Sequence, residues 1–303
     1  MSSSANGMTP TLFSVSYAGL WGQTYLDLPA FIRKAATLGY KAVELMGKRP
    51  HLSVLDADDD ALDRLANTAR EAGIEIATIA GYTDFTSGLQ AAEVPFVEMQ
   101  VAYVERLAHM AARLGARTLR VFTGYATAPE AYGADWNKCV VAIRECAAVA
   151  EAHGVTLGVQ NHHDVGVAWE TYLEFLNAVD HANCRAMFDP WAPALHGDDL
   201  RACAEALAPY MVQTTLADYV RLRRFAYMPG LVNYKSLPEM VLAVSLGEGF
   251  VDLESFFDGL RAGAFTGHVA YEMCSPLRGG GSEENLDATA KASLAKIQAL
   301  IAG

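Results

Sequence analysis

Residues 26–46, LDLPAFIRKAATLGYKAVELM, contain a helical pattern, a glycine and a short apolar strand in immediate succession. Apolar residues recur at helical spacing over 26–38, and Gly39 stands where a helix commonly ends in a left-handed turn. Residues 42–46 are an apolar run of strand length. The stretch therefore predicts one helix that is followed directly by one buried strand.

This helix–glycine–strand unit recurs along the chain, with Gly73, Gly115 and Gly154 in the position of Gly39. The pattern predicts strands at 12–16, 42–46, 75–80, 118–123, 155–160, 185–188, 211–216 and 268–272. It predicts helices at 26–38, 58–72, 95–114, 136–153, 169–180, 198–207, 253–262 and 283–301. Strands that alternate with helices form a parallel sheet.

Eight such units in 303 residues predict an α/β fold, a single (β/α)₈ TIM barrel. The alternative is an open doubly wound sheet, which usually carries a glycine-rich phosphate turn after its first strand. Residues 16–22, SYAGLWG, do not form the GxGxxG pattern of that turn. The closed barrel is therefore the favoured architecture.

Composition and charge disfavour several classes of protein. Hydrophobic residues make up 52% and charged residues 19%, which excludes an intrinsically disordered chain. The formal net charge is −12, from 35 acidic and 23 basic residues, so nucleic acid and anionic membranes are poor partners. No apolar stretch reaches the roughly 18–20 residues that span a bilayer. The five cysteines form no CxxC pair, which predicts reduced thiols and a cytoplasmic location.

Two segments depart from the regular pattern. Residues 1–10 are polar and Ser-rich, without the basic start or apolar centre of a signal peptide. We expect them to form a short disordered lead-in before a barrel over 11–303. Residues 218–249 form a long, aromatic and Arg-rich connection before the helix at 253–262. A connection of this length is a candidate lid or substrate loop.

In a TIM barrel the chemistry lies at the carboxyl ends of the strands. The polar residues predicted at those ends are Glu44, Gln160, His162, His163, Asp189, Gln213 and Glu272. Carboxylates, imidazoles and side-chain amides that converge on one mouth predict a divalent metal ion. Oxygen-rich ligation favours Mn²⁺, Mg²⁺ or Co²⁺ over Zn²⁺.

Structural roles stay open for several of these residues. Glu44 can hydrogen-bond a neighbouring loop, and Asp189, which precedes Pro190, can cap a turn. His162 and His163 are adjacent, so a regular strand cannot point both side chains into the barrel. One of the two histidines is therefore expected to lie in a loop or behind the site.

Aromatic and basic residues near the strand ends predict a small-molecule substrate, in particular a sugar. Aromatic faces at a barrel mouth suit a sugar ring, although the same residues can be ordinary core. The run Gly279–Gly281 before the last helix can hold an anion or form a flexible turn. The residues predicted to bind substrate are Glu44, Trp21, Tyr82, Trp191, Arg221 and Arg278.

The sequence resembles the xylose isomerase-like TIM-barrel superfamily of sugar isomerases and epimerases. The resemblance covers essentially the whole chain and rests on the order and spacing of several short motifs. They are GYKAVE at 39–44, QNH at 160–162, FDP at 188–190, GEG at 247–249 and GHVAYE at 267–272. The resemblance implies homo-oligomers as well as sugar chemistry.

The ketose 3-epimerases of this superfamily hold a divalent metal with Glu, Asp, His and Glu from strands five to eight. Asp189 and Glu272 match two of these ligands. Gln160 stands in the place of the first Glu, and the His falls near Thr215, with Gln213 on the same face. The resemblance thus implies a metal set of Gln160, Asp189, Gln213 and Glu272, with Mn²⁺ as the favoured ion and Zn²⁺ as an alternative.

The departures at strands five and seven bear on the mechanism. In the epimerases one metal-bound Glu removes a proton next to a ketone, and the other returns a proton on the opposite face. Glu272 can be one base, but the Gln160 amide does not titrate, so His162 or His163 would take its place. The alternative is a one-base reaction, such as elimination of water from a keto-sugar.

The expected function is therefore a divalent-metal-dependent isomerase or epimerase of sugars or keto-sugars, which acts through an enediolate. The alternative is a lyase or dehydratase that uses the same site on a keto-sugar or polyol. A sugar-binding barrel without catalysis stays open. A DNA-repair endonuclease is disfavoured because eight histidines and a charge of −12 do not suit a His-rich metal cluster on a basic face.

Overall fold

The computed structural model describes residues 7–88 and 93–303. Residues 1–6 of the predicted lead-in lie outside the described residues. The prediction of disorder is wrong for Met8, Thr9 and Pro10, because the first strand begins at Met8. These three residues pair in parallel with a strand near the end of the chain, in a register that places Met8 opposite Gly267.

Ten strands form two sheets in the described part of the chain. They are β1 Met8–Phe13, β2 Ala42–Met46, β3 Glu75–Ala80, β4 Thr118–Val121, β5 Thr156–Gln160, β6 Cys184–Met187, β7 Gln213–Leu216, β8 Asp218–Met228, β9 Asn233–Val244 and β10 Gly267–Tyr271. Eight of them pair in parallel in the order β6-β5-β4-β3-β2-β1-β10-β7. The remaining two, β8 and β9, pair with each other in antiparallel fashion.

The parallel sheet curls into a nearly closed barrel. Its two ends, β6 and β7, meet at an isolated parallel bridge between Ala186 and Met211. Next to that bridge the Val212 N–H donates to the Ala186 carbonyl at 2.9 Å. This arrangement confirms the predicted α/β fold with a single (β/α)₈ barrel.

Nine α-helices surround the barrel in the described ranges. They are α1 Leu28–Leu38, α2 Asp59–Ala72, α3 Phe96–Leu114, α4 Tyr132–Ala152, α5 Trp169–Val179, α6 Trp191–His196, α7 Leu200–Leu207, α8 Leu253–Ala262 and α9 Glu283–Ala302. Asp27 and Asp58 cap α1 and α2 by accepting an N–H of the first turn. Gly39 ends α1 at φ 100°, which is the left-handed cap that the sequence predicts.

The prediction that the segment 218–249 is an irregular connection is wrong. Most of the segment is an antiparallel ribbon formed by β8 and β9. Much of both strands is exposed, so they lack the apolar–polar alternation that marks a half-buried strand. Asp218 fastens the ribbon base, where its buried carboxylate accepts the N–H groups of Gly247 at 2.8 Å and Gly249 at 2.9 Å. A role as a lid stays a prediction.

The core lies between the strands and the inner faces of the helices. Alternate strand residues such as Leu12, Val43 and Ile79 are fully buried there. The barrel interior, by contrast, holds a group of buried polar side chains from β2, β3, β4, β5 and β7. Among the described helices, none combines the length and the apolar character needed to cross a membrane.

Candidate active site

Arg120, on β4, is the largest fully buried side chain among the described residues, with 2% of its surface exposed. Its Nη1 donates to the Gln160 side-chain oxygen at 3.1 Å and lies 3.9 Å from Glu44 Oε1. The guanidinium also lies against the rings of Phe122, at 4.3 Å, and Tyr82, at 4.9 Å. Sequence reasoning missed this cation, although a lone Arg inside the apolar strand TLRV was a usable signal.

Gln160, at the end of β5, joins Arg120 to Asp189. The Gln160 oxygen must face Arg120, because a guanidinium only donates hydrogen bonds. The amide nitrogen therefore faces Asp189 and donates to its Oδ2 at 2.7 Å. The orientation of this amide follows from its partners rather than from the placement of O and N alone.

Gln213, on β7, is held in the same manner deeper in the barrel. Its nitrogen donates to Glu44 Oε2 at 2.6 Å, and its oxygen accepts the Thr78 hydroxyl at 2.6 Å. Glu44 is completely buried, so it lies beneath the mouth and faces protein groups instead of a substrate. Burial raises the pKa of Glu44 to about 7, against the opposing effects of Arg120 and Gln213.

Asp189 and Glu272 stand at the ends of β6 and β10. Asp189 is 6% exposed, and its Oδ1 accepts the Trp191 N–H at 2.7 Å. Burial raises the pKa of Asp189 to about 6. Glu272 is half-buried and accepts a bond from the Cys274 thiol at 3.5 Å. Desolvation, followed by the charge of Asp189, raises the pKa of Glu272 to about 8.

The buried and half-buried polar residues described above form one polar cluster, made up of Glu44, Arg120, Gln160, Asp189, Gln213 and Glu272. His162 and His163 lie beside this cluster. Their Nδ1 atoms are 2.9 Å apart, and His163 has a φ of 67°, which turns the two rings to one side of the chain. Both rings lie against Phe122, which also contacts the Arg120 guanidinium. Loss of hydration, with the charges of His163 and Arg120, lowers the pKa of His162 to about 4. His162 is thus a weak base near neutral pH.

A cavity of about 600 Å³ opens next to the cluster, a size that suits a small-molecule ligand. Tyr82 and Phe122 belong both to its wall and to the surroundings of Arg120. Lys48 Nζ lies 3.8 Å from the centre of the Tyr82 ring, and sequence reasoning missed this lysine as well. The cavity is lined by Lys48, Tyr82, Thr83, Asp84, Ser87, Phe96, Met99, Gln100, Tyr103, Phe122 and His163.

The other predicted substrate-binding residues are less closely associated with this cavity. Trp191 packs on Tyr219, with ring centres 4.0 Å apart, and the Tyr219 hydroxyl contacts Cys274, the partner of Glu272. Trp21 is 40% exposed in the loop after β1. Arg221 covers the Phe250 ring at 4.5 Å, near the ribbon base.

At the predicted anion site before α9, the surrounding side chains contact other groups of the protein. Arg278 lies 3.7 Å from Glu248, and the Asn285 amide donates to the carbonyls of Arg278 and Gly280. Glu283 and Glu284 fill the first turn of α9, where their charges oppose a bound anion. Arg278 is not among the residues that line the cavity, and its role in substrate binding stays a prediction.

The polar groups of the cluster do not fit a divalent metal ion. Among the described residues, no three His, Cys, Asp or Glu side chains lie where they could hold one. Gln160 and Gln213 direct their N–H groups, which repel a cation, at Asp189 and Glu44. Arg120 supplies the positive charge of the cluster. Each of the four predicted ligands is engaged in hydrogen bonds with other protein groups. Together they do not form a metal-binding site.

Comparison with known proteins agrees with this architecture. The sequence profile of the xylose isomerase-like TIM barrel family matches residues 32–299, which is most of the chain. The chain belongs to this family. No curated protein matches the sequence of this family member.

Solved structures with the same fold include enzymes of different reaction types. The D-psicose 3-epimerase of Clostridium cellulolyticum H10 has a TM-score of 0.74 at 17% identity, over 97% of this chain and 99% of that one. The probable 3-DHS dehydratase AsbF of Bacillus anthracis has a TM-score of 0.72 at 18% identity, over 95% and 98%. A xylose isomerase domain protein of Planctomyces limnophilus has a TM-score of 0.69 at 18% identity, over 98% and 97%. At these identities the likeness concerns the fold.

Proposed function

We propose that this family member is an isomerase or epimerase of sugar-like carbonyl compounds. It removes a proton from the carbon next to the carbonyl and forms an enediolate. The observation that carries the proposal is Glu272, a half-buried carboxylate at the end of β10 whose pKa is raised to about 8. A carboxylate with a pKa near the working pH is suited to take and return a proton.

The neighbours of Glu272 support this role. Asp189 is fixed by Gln160 and by the Trp191 N–H, so its charge stays at one place. That charge favours the protonated form of Glu272 once a proton has been taken. The Cys274 thiol holds one oxygen of Glu272 and is itself held by the Tyr219 hydroxyl at 3.3 Å. The Cys274 thiol therefore orients the Glu272 carboxylate, and the charge of Asp189 raises its pKa.

A lyase or dehydratase is the second candidate, and Gln160 favours it. The Gln160 amide is engaged by Arg120 and Asp189 and cannot take a proton from a second face of the substrate. With Glu272 as a single base, proton removal followed by loss of a β-hydroxyl as water is chemically complete. The fold occurs in a probable dehydratase as well as in 3-epimerases.

Proton NMR in D₂O separates these reactions. A panel of ketoses, aldoses and keto-polyols is incubated with the wild-type chain, with Glu272→Gln and with Glu75→Gln. Glu75 is a matched control because it is a glutamate at the opposite end of the barrel, on β3, 3.6 Å from His268. We expect deuterium to enter the carbon next to the carbonyl with the wild type and the control, and not with Glu272→Gln.

Retention of all carbon and oxygen atoms of the substrate supports the isomerase or epimerase, and release of water from the substrate supports the lyase. Exchange that proceeds equally with Glu272→Gln would contradict the role of Glu272. If no compound of the panel exchanges while the protein is folded, the proposal of proton abstraction from sugar-like carbonyls is wrong.

A further inference from the structure

We propose that the Arg120 guanidinium is the fixed positive charge of this site and takes the electrostatic place of a divalent cation. It stabilises the negative charge that develops on the carbonyl oxygen when the neighbouring proton is removed. This inference rests on the proposed function and adds the group that balances the enediolate charge. Arg120 needs no metal for this role.

The position of Arg120 is central to the polar cluster. Two strands and the residue after a third contribute to its surroundings: Gln160 on β5 binds Nη1, Glu44 on β2 lies 3.9 Å away, and the carbonyl of Gly81, just after β3, accepts Nη2 at 3.4 Å. Asp189 joins through Gln160. The cation therefore lies among the acidic and amide groups that a metal would otherwise have brought together.

The cluster also retains hydrogen-bonding capacity that the protein does not use. Among the described residues, neither Arg120 Nε nor Glu44 Oε1 has a hydrogen-bond partner, although both atoms are buried. A buried polar atom without a partner is costly, and a catalytic role is one of the explanations for such an atom in a native structure.

Two aromatic side chains connect the guanidinium with the cavity. Phe122 and Tyr82 both contact Arg120 and both line the cavity. Aromatic rings and buried surroundings screen a charge far less than water does. The field of Arg120 thus reaches the cavity, and it does so without the reorganisation that a mobile surface cation would need.

Removal of Arg120 alone would leave Glu44 buried without a cation and can prevent folding. The test therefore uses the double variant Arg120→Met with Glu44→Gln, which removes both charges. Its matched control is Glu44→Gln, which keeps the cation. Circular dichroism and the thermal midpoint establish that both variants are folded before any binding is measured.

The first measurement is independent of turnover. Oxalate, a planar dianion that resembles an enediolate, is titrated by calorimetry into each form after treatment with a chelator. We expect wild type and Glu44→Gln to bind oxalate, and the double variant to bind about 100-fold more weakly. Equal affinity of the folded control and the folded double variant, including no binding by either, overturns the role of Arg120.

The second measurement is the metal itself. Mass spectrometry of the purified protein should find far less than one Mn, Co, Mg or Zn per chain, and calorimetry with MnCl₂ should show no binding. A stoichiometric metal, or oxalate binding that requires added Mn²⁺, overturns the inference. Failure of the proposed function is separate, because an absence of deuterium exchange leaves the oxalate and metal results intact.

Discussion

Glu44 offers a direct test of the electrostatics inside the barrel. Its side chain is completely buried, and its pKa is raised from the ordinary 4.5 to about 7. The folded protein therefore favours the protonated form of Glu44. The stability that the protonated Glu44 contributes is fully present below pH 4.5, and it is lost as the pH rises through about 7. The difference corresponds to about 3 kcal/mol in the free energy of unfolding.

Glu44→Gln imitates the protonated carboxyl and removes this pH dependence. Because the sequence pI is about 5.1, urea unfolding is best measured above it. Between about pH 6 and about pH 8.5, linkage predicts that the stability of Glu44→Gln relative to wild type rises by about 1.4 kcal/mol. Glu71→Gln, an exposed change on α2, is the control and should give parallel curves. A constant difference between Glu44→Gln and wild type at both pH values would refute the raised pKa.

Three further predictions concern the base and the ribbon. If Glu272 takes the proton, kcat/KM for deuterium exchange should rise about tenfold per pH unit and level off near about pH 8, and a flat profile would be inconsistent with its raised pKa. Asp218→Ala leaves four backbone N–H groups at the ribbon base, those of Tyr219, Gly247, Gly249 and Val251, without their acceptor. It should lower the unfolding free energy by about 2–4 kcal/mol, against about 1 kcal/mol for the exposed helix cap Asp252→Ala. Gly249→Ala should lower the thermal midpoint because its Cβ would overlap the Asp218 carboxylate, whereas Gly230→Ala has open space and should not. Equal midpoints for these two glycine variants would contradict the packing at the ribbon base.

Much of the barrel is predictable because local and global signals agree. The bounds of β2, β3 and α8 match the predicted segments at 42–46, 75–80 and 253–262. A glycine that ends the preceding helix lies shortly before β2 and β3, and a capping aspartate precedes α8. The start of α4 at Tyr132 was missed, since Gly133 in its first turn weakens the helical pattern. The first strand was placed too late because its partner is distant in the sequence.

The candidate site is only partly predictable. The sequence places Gln160, Asp189 and Gln213 at strand ends, but it does not reveal which way an amide faces. That direction is decided by Arg120, which lies within a strand and was not among the predicted residues. Likewise, Lys48 follows β2 in a loop, and only the fold brings it to Tyr82. The contacts that decide the charges of the site join residues that are distant in the sequence, so the sequence alone does not reveal them.

The Gln160 amide, held between Arg120 and Asp189, also restricts how such a barrel can change in evolution. Gln160→Glu alone would add a carboxylate that pairs with Arg120 instead of standing open as a ligand. Loss of Arg120 alone would leave Glu44 without its cation. Both single steps toward a metal-binding barrel thus pass through an unbalanced buried charge. Positions 120 and 160 are expected to covary among related chains, with Arg and Gln inherited as a pair.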